Sequence, residues 1–269
     1  MSSQMLTGFE PKEDKTGGAL TQVAESKEVA ETQARYTIAK RFPRDESQAF
    51  MKIMKACDRP LLADQAIYAY PKGGQTVSGA SIRLAEVLLQ SWGNMDCGIK
   101  EVSQENGVSI AEAYAIDLET NVRIVKIFHV AHVRNTKKGS YKLTDSRDIY
   151  ETVANQGSRR LRACILGIIP GDVIDAAVGR CEKTQESSDA PLAERVRKML
   201  VKFSEVGVKR EHIEKKLDHS IDDIVAAELV SLTSIYRSIK DGMSDRTDFF
   251  DISSDSARDK LKEALGKKD

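Results

Sequence analysis

Residues 108–133, VSIAEAYAIDLETNVRIVKIFHVAHV, decide the fold class. Val108, Ile110, Tyr114, Ile116 and Leu118 alternate onto one face, interrupted by Glu112, while Ser109, Ala111, Ala113 and Ala115 line the other. A period of two marks a strand, and the small residues offer a face on which a helix packs closely. Glu119-Thr120-Asn121 reads as a turn and Val122 to Val133 as the next strand. Upstream, Met95 to Ser103 is a further strand-like run, followed by Glu105-Asn106-Gly107. Asn-Gly between β-prone runs signals a hairpin, so the three runs form an antiparallel meander of long strands.

The helix for the small-residue face follows. From Ser146 to Ile168, residues Tyr150, Val153, Ala154, Gly157, Leu161, Cys164, Ile165 and Ile168 form one apolar stripe at the helical period. Asn155, Arg159 and Arg162 lie on its opposite side, and Pro170-Gly171 ends it. Asp172 is read as the cap of a shorter helix reaching Cys181. The fold class is therefore α+β, an antiparallel β-meander packed on a long helix, plus a small all-helical C-terminal module.

Before the meander, Ser26 to Lys40 suits a helix broken at Pro43, and Asp45 to Gln48 has the form of a capping box opening a second helix. Ala66 to Tyr70 reads as a strand. A Gly-rich turn, KGGQTVSG, leads to a helix from about Ser81 to Gln90. Residues 1–24 are polar and aperiodic and read as a disordered tail. The organisation expected is a core over 25–181, a polar linker over 182–190, a separately folding helical module over 191–242, and a charged tail over 243–269. The module's helices are Leu192 to Val206, Arg210 to Leu217 and Ile221 to Lys240; the tail has room for one more, Ser256 to Leu265.

Composition narrows the function classes. Lys+Arg and Asp+Glu both number 41, so an anionic partner must be argued from where charges sit. No apolar run is long enough to span a membrane, the first residues lack a signal core, and the four cysteines form no C-x-x-C pair. The expectation is a cytoplasmic protein with reduced thiols.

Catalytic signals are few. No nucleotide-binding P-loop motif occurs. Lys72-Gly73-Gly74 to Gly79 sits between strand and helix, suited either to phosphate approach or to a plain tight turn. His129 and His132 fall on opposite faces of a strand, which does not favour a chelate. Asp117 and Glu119 end a strand without the further carboxylates that two-metal chemistry needs. No catalytic residue, metal site or cofactor is expected.

The basic segment says more. Between Arg134 and Arg162 lie eight basic residues (Arg134, Lys137, Lys138, Lys142, Arg147, Arg159, Arg160, Arg162) against three acids. Tyr141 sits among the loop cations, as a base-stacking residue does in single-strand binders. Helix-dipole complementation accounts for part of the pattern, but not for Arg134, Lys137 and Lys138 in the loop. Contact with nucleic acid is the expectation, through Arg134, Lys137, Lys138, Tyr141, Lys142, Arg159, Arg160 and Arg162 together with Lys72 and Arg83.

Two stretches, GASIRLAEVLLQSWGN (79–94) and NQGSRRLRACILGIIPGD (155–172), join with the element order to give a family resemblance. The chain resembles the phage single-strand annealing proteins of the Sak, Erf and RecT/Red-beta groups, with a Rad-fifty-two-like fold over about Ala66 to Cys181. The resemblance implies a non-catalytic protein for homologous recombination, working as a homo-oligomeric ring or filament in a bacterial cytoplasm. It implies that Arg159 and Arg160 form the basic pair on the DNA backbone, with Lys137 and Lys138 near the same groove. It also implies that the helical module meets a protein partner, such as a host single-strand-binding protein or a phage exonuclease. A metal-dependent phage nuclease and a protein-only adaptor or scaffold are the alternatives.

Overall fold

The computed structural model describes residues 19–72, 75–136, 139–187 and 190–252. The first helix, α1 (Ala19–Arg41), starts earlier than expected and occupies residues assigned to a disordered tail. Its polar surface meets the sheet through ion pairs, Arg35 with Asp96 at 3.1 Å and Lys100 with Glu28 at 3.8 Å. Helix α2 (Glu46–Cys57) starts where the capping signal placed it: Asp45 accepts the Gln48 N–H, and Ala49, Ile53 and Cys57 are buried at helical spacing.

Next come α3 (Pro60–Ala66), which the sequence reading lacked, and a hairpin of β1 (Ile67–Lys72) and β2 (Gln75–Ala80). The segment read as one long turn thus supplies a second strand. Ser81 then caps α4 (Ile82–Trp92), accepting the Leu84 N–H and donating to the Gln65 carbonyl.

The meander is present as a three-stranded antiparallel sheet in the order β3 (Met95–Glu105), β4 (Val108–Asp117), β5 (Arg123–Ala131). Its two turns place Asn106 (φ 53°), Gly107 (φ 77°) and Asn121 (φ 62°) in the left-handed region that Asn and Gly tolerate. Helix α5 (Ser146–Ile168) lies on the face of Ala111, Ala113 and Ala115, all fully buried. The larger apolar residues of β4 stay half-buried on the other side. Closeness decides this: a Cβ on Gly157 would sit 2.7 Å from Ile99 Cδ1, so only glycine admits the approach of helix to sheet. The loop after β5 is itself a hairpin, β6 (Val133–Thr136) with β7 (Gly139–Lys142).

Helix α6 (Gly171–Glu186) runs five residues beyond Cys181 into the expected linker. Asp172 lies in its first turn and Pro170 takes the capping position. Gln185, within the expected spacer, is buried and donates to the Ala63 carbonyl. Helices α7 (Leu192–Glu205), α8 (Arg210–Leu217) and α9 (Ala226–Lys240) follow. Their apolar cluster contains Phe203, Ile213, Leu232 and Ile235, but also Ala69 of β1. The Ala69 N–H donates to Ser238 Oγ of α9 at 2.9 Å. The helical module is therefore built onto the core's hairpin and is not set apart from it. Phe249 and Phe250 are buried in the same cluster, so ordered packing also continues past the expected boundary at 242. The helix read over Ser256 to Leu265 lies outside the described residues. Among the described residues, no helix is long and apolar enough to cross a membrane.

Candidate nucleic-acid interface

Where α5, α4, β1 and α9 meet, they enclose an open cleft of about 750 Å³. On α5, Asn155, Ser158, Arg159 and Arg162 line it, spaced three and four apart on the helix face turned away from the sheet. Arg83 enters from the first turn of α4, Tyr68 from β1, and Arg237 and Lys240 from α9. Two helices thus face each other with basic pairs three residues apart. Five cations line the cleft against one carboxylate, Asp241.

These cations are largely unspent. Arg83 reaches Glu86 at 3.2 Å on the exposed side, and Arg159 donates to the Gly242 carbonyl at 3.0 Å. Among the described residues, Arg162, Arg237 and Lys240 have no carboxylate partner. The Arg162 guanidinium lies over the Tyr68 ring, 4.2 Å from its centre, and Tyr68 in turn stacks on Tyr70 at 5.5 Å. Stacking fixes the guanidinium plane and leaves its N–H edges free to donate. Burial pushes the Tyr68 phenol above its ordinary value, offset by the Arg162 charge and reinforced by Tyr70.

The residues singled out in the sequence divide into four groups. Arg83, Arg159 and Arg162 come together in the cleft. Arg160 does not: it lies 4.4 Å from the centre of the Phe128 ring and donates to both oxygens of Gln156. Successive helical residues are rotated by about 100°, and here that rotation carries Arg160 to Phe128 while Arg159 lines the cleft, so the expected Arg159–Arg160 pair is split. Arg134, Tyr141 and Lys142 form a separate locus on the β6–β7 hairpin. There Arg134 faces Tyr141 across the ladder, and hydrogen bonding to that phenol raises the arginine further. Asp148, the acid near Arg134, precedes Arg159 by eleven residues, about 16 Å along α5. Lys137 and Lys138 lie outside the described residues, as does the side chain of Lys72.

Tyr68, Arg237 and Lys240 were missed. Tyr68 was absorbed into a strand, and the two α9 cations belonged to a module assigned elsewhere. Only the packing of α9 on β1 reveals them.

Asp117 and Glu119, the carboxylates weighed for metal chemistry, are both engaged by Arg44. Asp117 pairs with one end of the guanidinium, while Glu119 accepts from its Nε and from the Arg44 backbone N–H, both at 2.9 Å. Burial works to raise Glu119, but hydrogen bonds from Asn94 and Arg44 hold it below the usual carboxylate range. His132 Nε2 shares a 2.8 Å hydrogen bond with Ser109 Oγ, while His129 stands exposed on the opposite face of the sheet.

In comparison with known proteins, no family model, no curated protein and no solved structure matches the chain.

Proposed function

We propose that this chain binds single-stranded DNA in the α5–α9 cleft and promotes annealing of complementary strands without catalysis. It acts as a homo-oligomer of the Rad-fifty-two-like annealing type. The observation that carries the reading is the set of cations, Arg162, Arg237 and Lys240, that line one open groove with no carboxylate partner among the described residues. Like charges gathered around one open groove raise its positive potential, and a polyanion running along the groove meets them in succession. Tyr68 is a positioning residue here: its ring holds Arg162 over the cleft.

Annealing follows from backbone binding. A strand held by its phosphates keeps its base edges free to test a second strand, and correct pairing supplies the driving force. No bond is made or broken by the protein, so the reading requires neither nucleophile nor metal. The test is annealing of complementary oligonucleotides in EDTA without ATP, with electron microscopy of the same mixtures. Faster annealing with rings or filaments supports the proposal. A requirement for ATP or a divalent metal, strand cleavage in magnesium, or no effect on annealing overturns it.

A further inference from the structure

A second basic groove lies on the far side of α9, between α7 and the α3–α6 pair, with a volume of about 200 Å³. Arg195, Lys198 and Lys202 of α7 line it at positions i, i+3 and i+7, one continuous helical face. Arg237 lines both this groove and the first cleft. The two grooves therefore adjoin at a single guanidinium on α9.

We propose that single-stranded DNA leaving the first cleft continues over Arg237 and is held by Lys198 and Lys202. The α7 face is then a second phosphate-binding subsite, and the helical module is part of the DNA path. The inference rests on the function proposed above and extends it to a longer footprint.

The charges along the groove are graded. Arg195 is committed to structure, donating to the Gln185 carbonyl at 2.6 Å. Lys198 is held by Glu194 at 2.7 Å and both are substantially exposed, so a phosphate competes with that carboxylate in water. Lys202 has no carboxylate partner among the described residues. Asp64 is the one acid in the lining. A mobile polyanion suits such a surface better than a small tightly caged anion, because two of its four cations stand on flexible, exposed lysine stems.

The test uses the full chain and fluorescence anisotropy with oligo-dT of about six and about thirty nucleotides, the first within and the second well beyond a single-module site. The variants are Lys198→Gln with Lys202→Gln, and Glu194→Gln alone; all three side chains are at the surface. The double variant should bind the short oligonucleotide like wild type. With the long one, its salt slope should fall by about 1.4, at about 0.7 per phosphate released. That slope corresponds to on the order of 25-fold weaker binding at about 0.1 M salt. Glu194→Gln should tighten the long oligonucleotide only, by freeing Lys198.

Wild-type binding of both lengths with an unchanged double variant overturns the second subsite and leaves the first cleft standing. Equal losses on short and long oligonucleotides also overturn it, since the lysines would then act through the first cleft. A wild-type chain that binds neither length removes the proposed function, and this inference with it.

Discussion

The Arg162 guanidinium lies 4.2 Å from the centre of the Tyr68 ring, so a strand residue of the hairpin aims a helix cation into the cleft. Its neighbour Arg160 makes the corresponding contact with Phe128, at 4.4 Å, away from the cleft. Two arginines with similar local sequence thus do different work.

The first prediction separates them. Arg159→Ala with Arg162→Ala should lower the salt slope of oligo-dT binding by about 1.4, uniformly across sequences. Arg160→Ala should leave that slope unchanged and lower the melting temperature instead, because Phe128 loses a cation worth about 0.5–1 kcal/mol. A slope reduced by Arg160→Ala as much as by the cleft pair would restore the adjacent-pair arrangement.

Alkaline titration tests the Tyr68 environment. Burial raises the Tyr68 phenol in the folded chain, and Tyr114 is raised for the same first reason. Since the folded value exceeds the unfolded one, the neutral phenols contribute stability that is fully present below the ordinary value, about 10. It is lost as pH rises through the folded value. Phenolate absorbance should therefore appear later in the folded chain than in denaturant, and Tyr68→Phe should remove one equivalent from the late phase. Coincident curves for folded and unfolded chain would show both rings to be in water.

The hydrogen bond from the Ala69 N–H to Ser238 Oγ ties the helical module to the core. Ser238→Ala should cost about 1–3 kcal/mol in denaturant unfolding, the penalty for a buried donor left unpaired. Truncation after Ser187 should do more. It uncovers Ala69 and removes Arg237 and Lys240 from the cleft, so oligo-dT affinity should fall together with stability. A truncated chain that is as stable and binds as well as the full one would show the module to be independent.

Arg44 holds the end of β4 through Asp117 and Glu119, with its guanidinium 5.3 Å from the Trp92 ring centre. Arg44→Met should destabilise by about 3–5 kcal/mol, because two carboxylates at the sheet's end lose their counter-charge. Glu119 is held below its ordinary value in the folded chain. Its contribution is therefore present above the unfolded value, about 4.3, and lost as pH falls through the folded one. Acid unfolding of the wild type should be shifted to higher pH by Glu119→Gln less than by Arg44→Met. The reverse order would place the main acid-sensitive contact elsewhere.

Local periodicity was enough for the meander and α5. Alternation over Val108 to Ile116, the Asn106-Gly107 turn and the apolar stripe from Val153 to Ile165 each report short-range geometry, and short-range geometry is written in neighbouring residues. The capping of α2 by Asp45 was legible for the same reason. Turn chemistry misled at 75–80 and 139–142, where Gly and Ser content suggested loops and backbone pairing made strands. Polar composition misled at 182–186, where Gln185 finds a buried partner in the Ala63 carbonyl.

The cleft belongs to the tertiary structure alone. Arg159 and Arg162 could be named from one helix, but Tyr68, Arg237 and Lys240 reach them only because α9 packs on β1 through Ala69 and Ser238. Arg160 drops out because a helix turns about 100° per residue and Phe128 is there to receive it. The sequence by itself determined which segments are helix and strand over the meander and α5, and that positive charge collects near α5. Which of those charges face one another was decided by the docking of elements some seventy residues apart (Arg162 and Arg237), a long-range packing choice that no local pattern encodes.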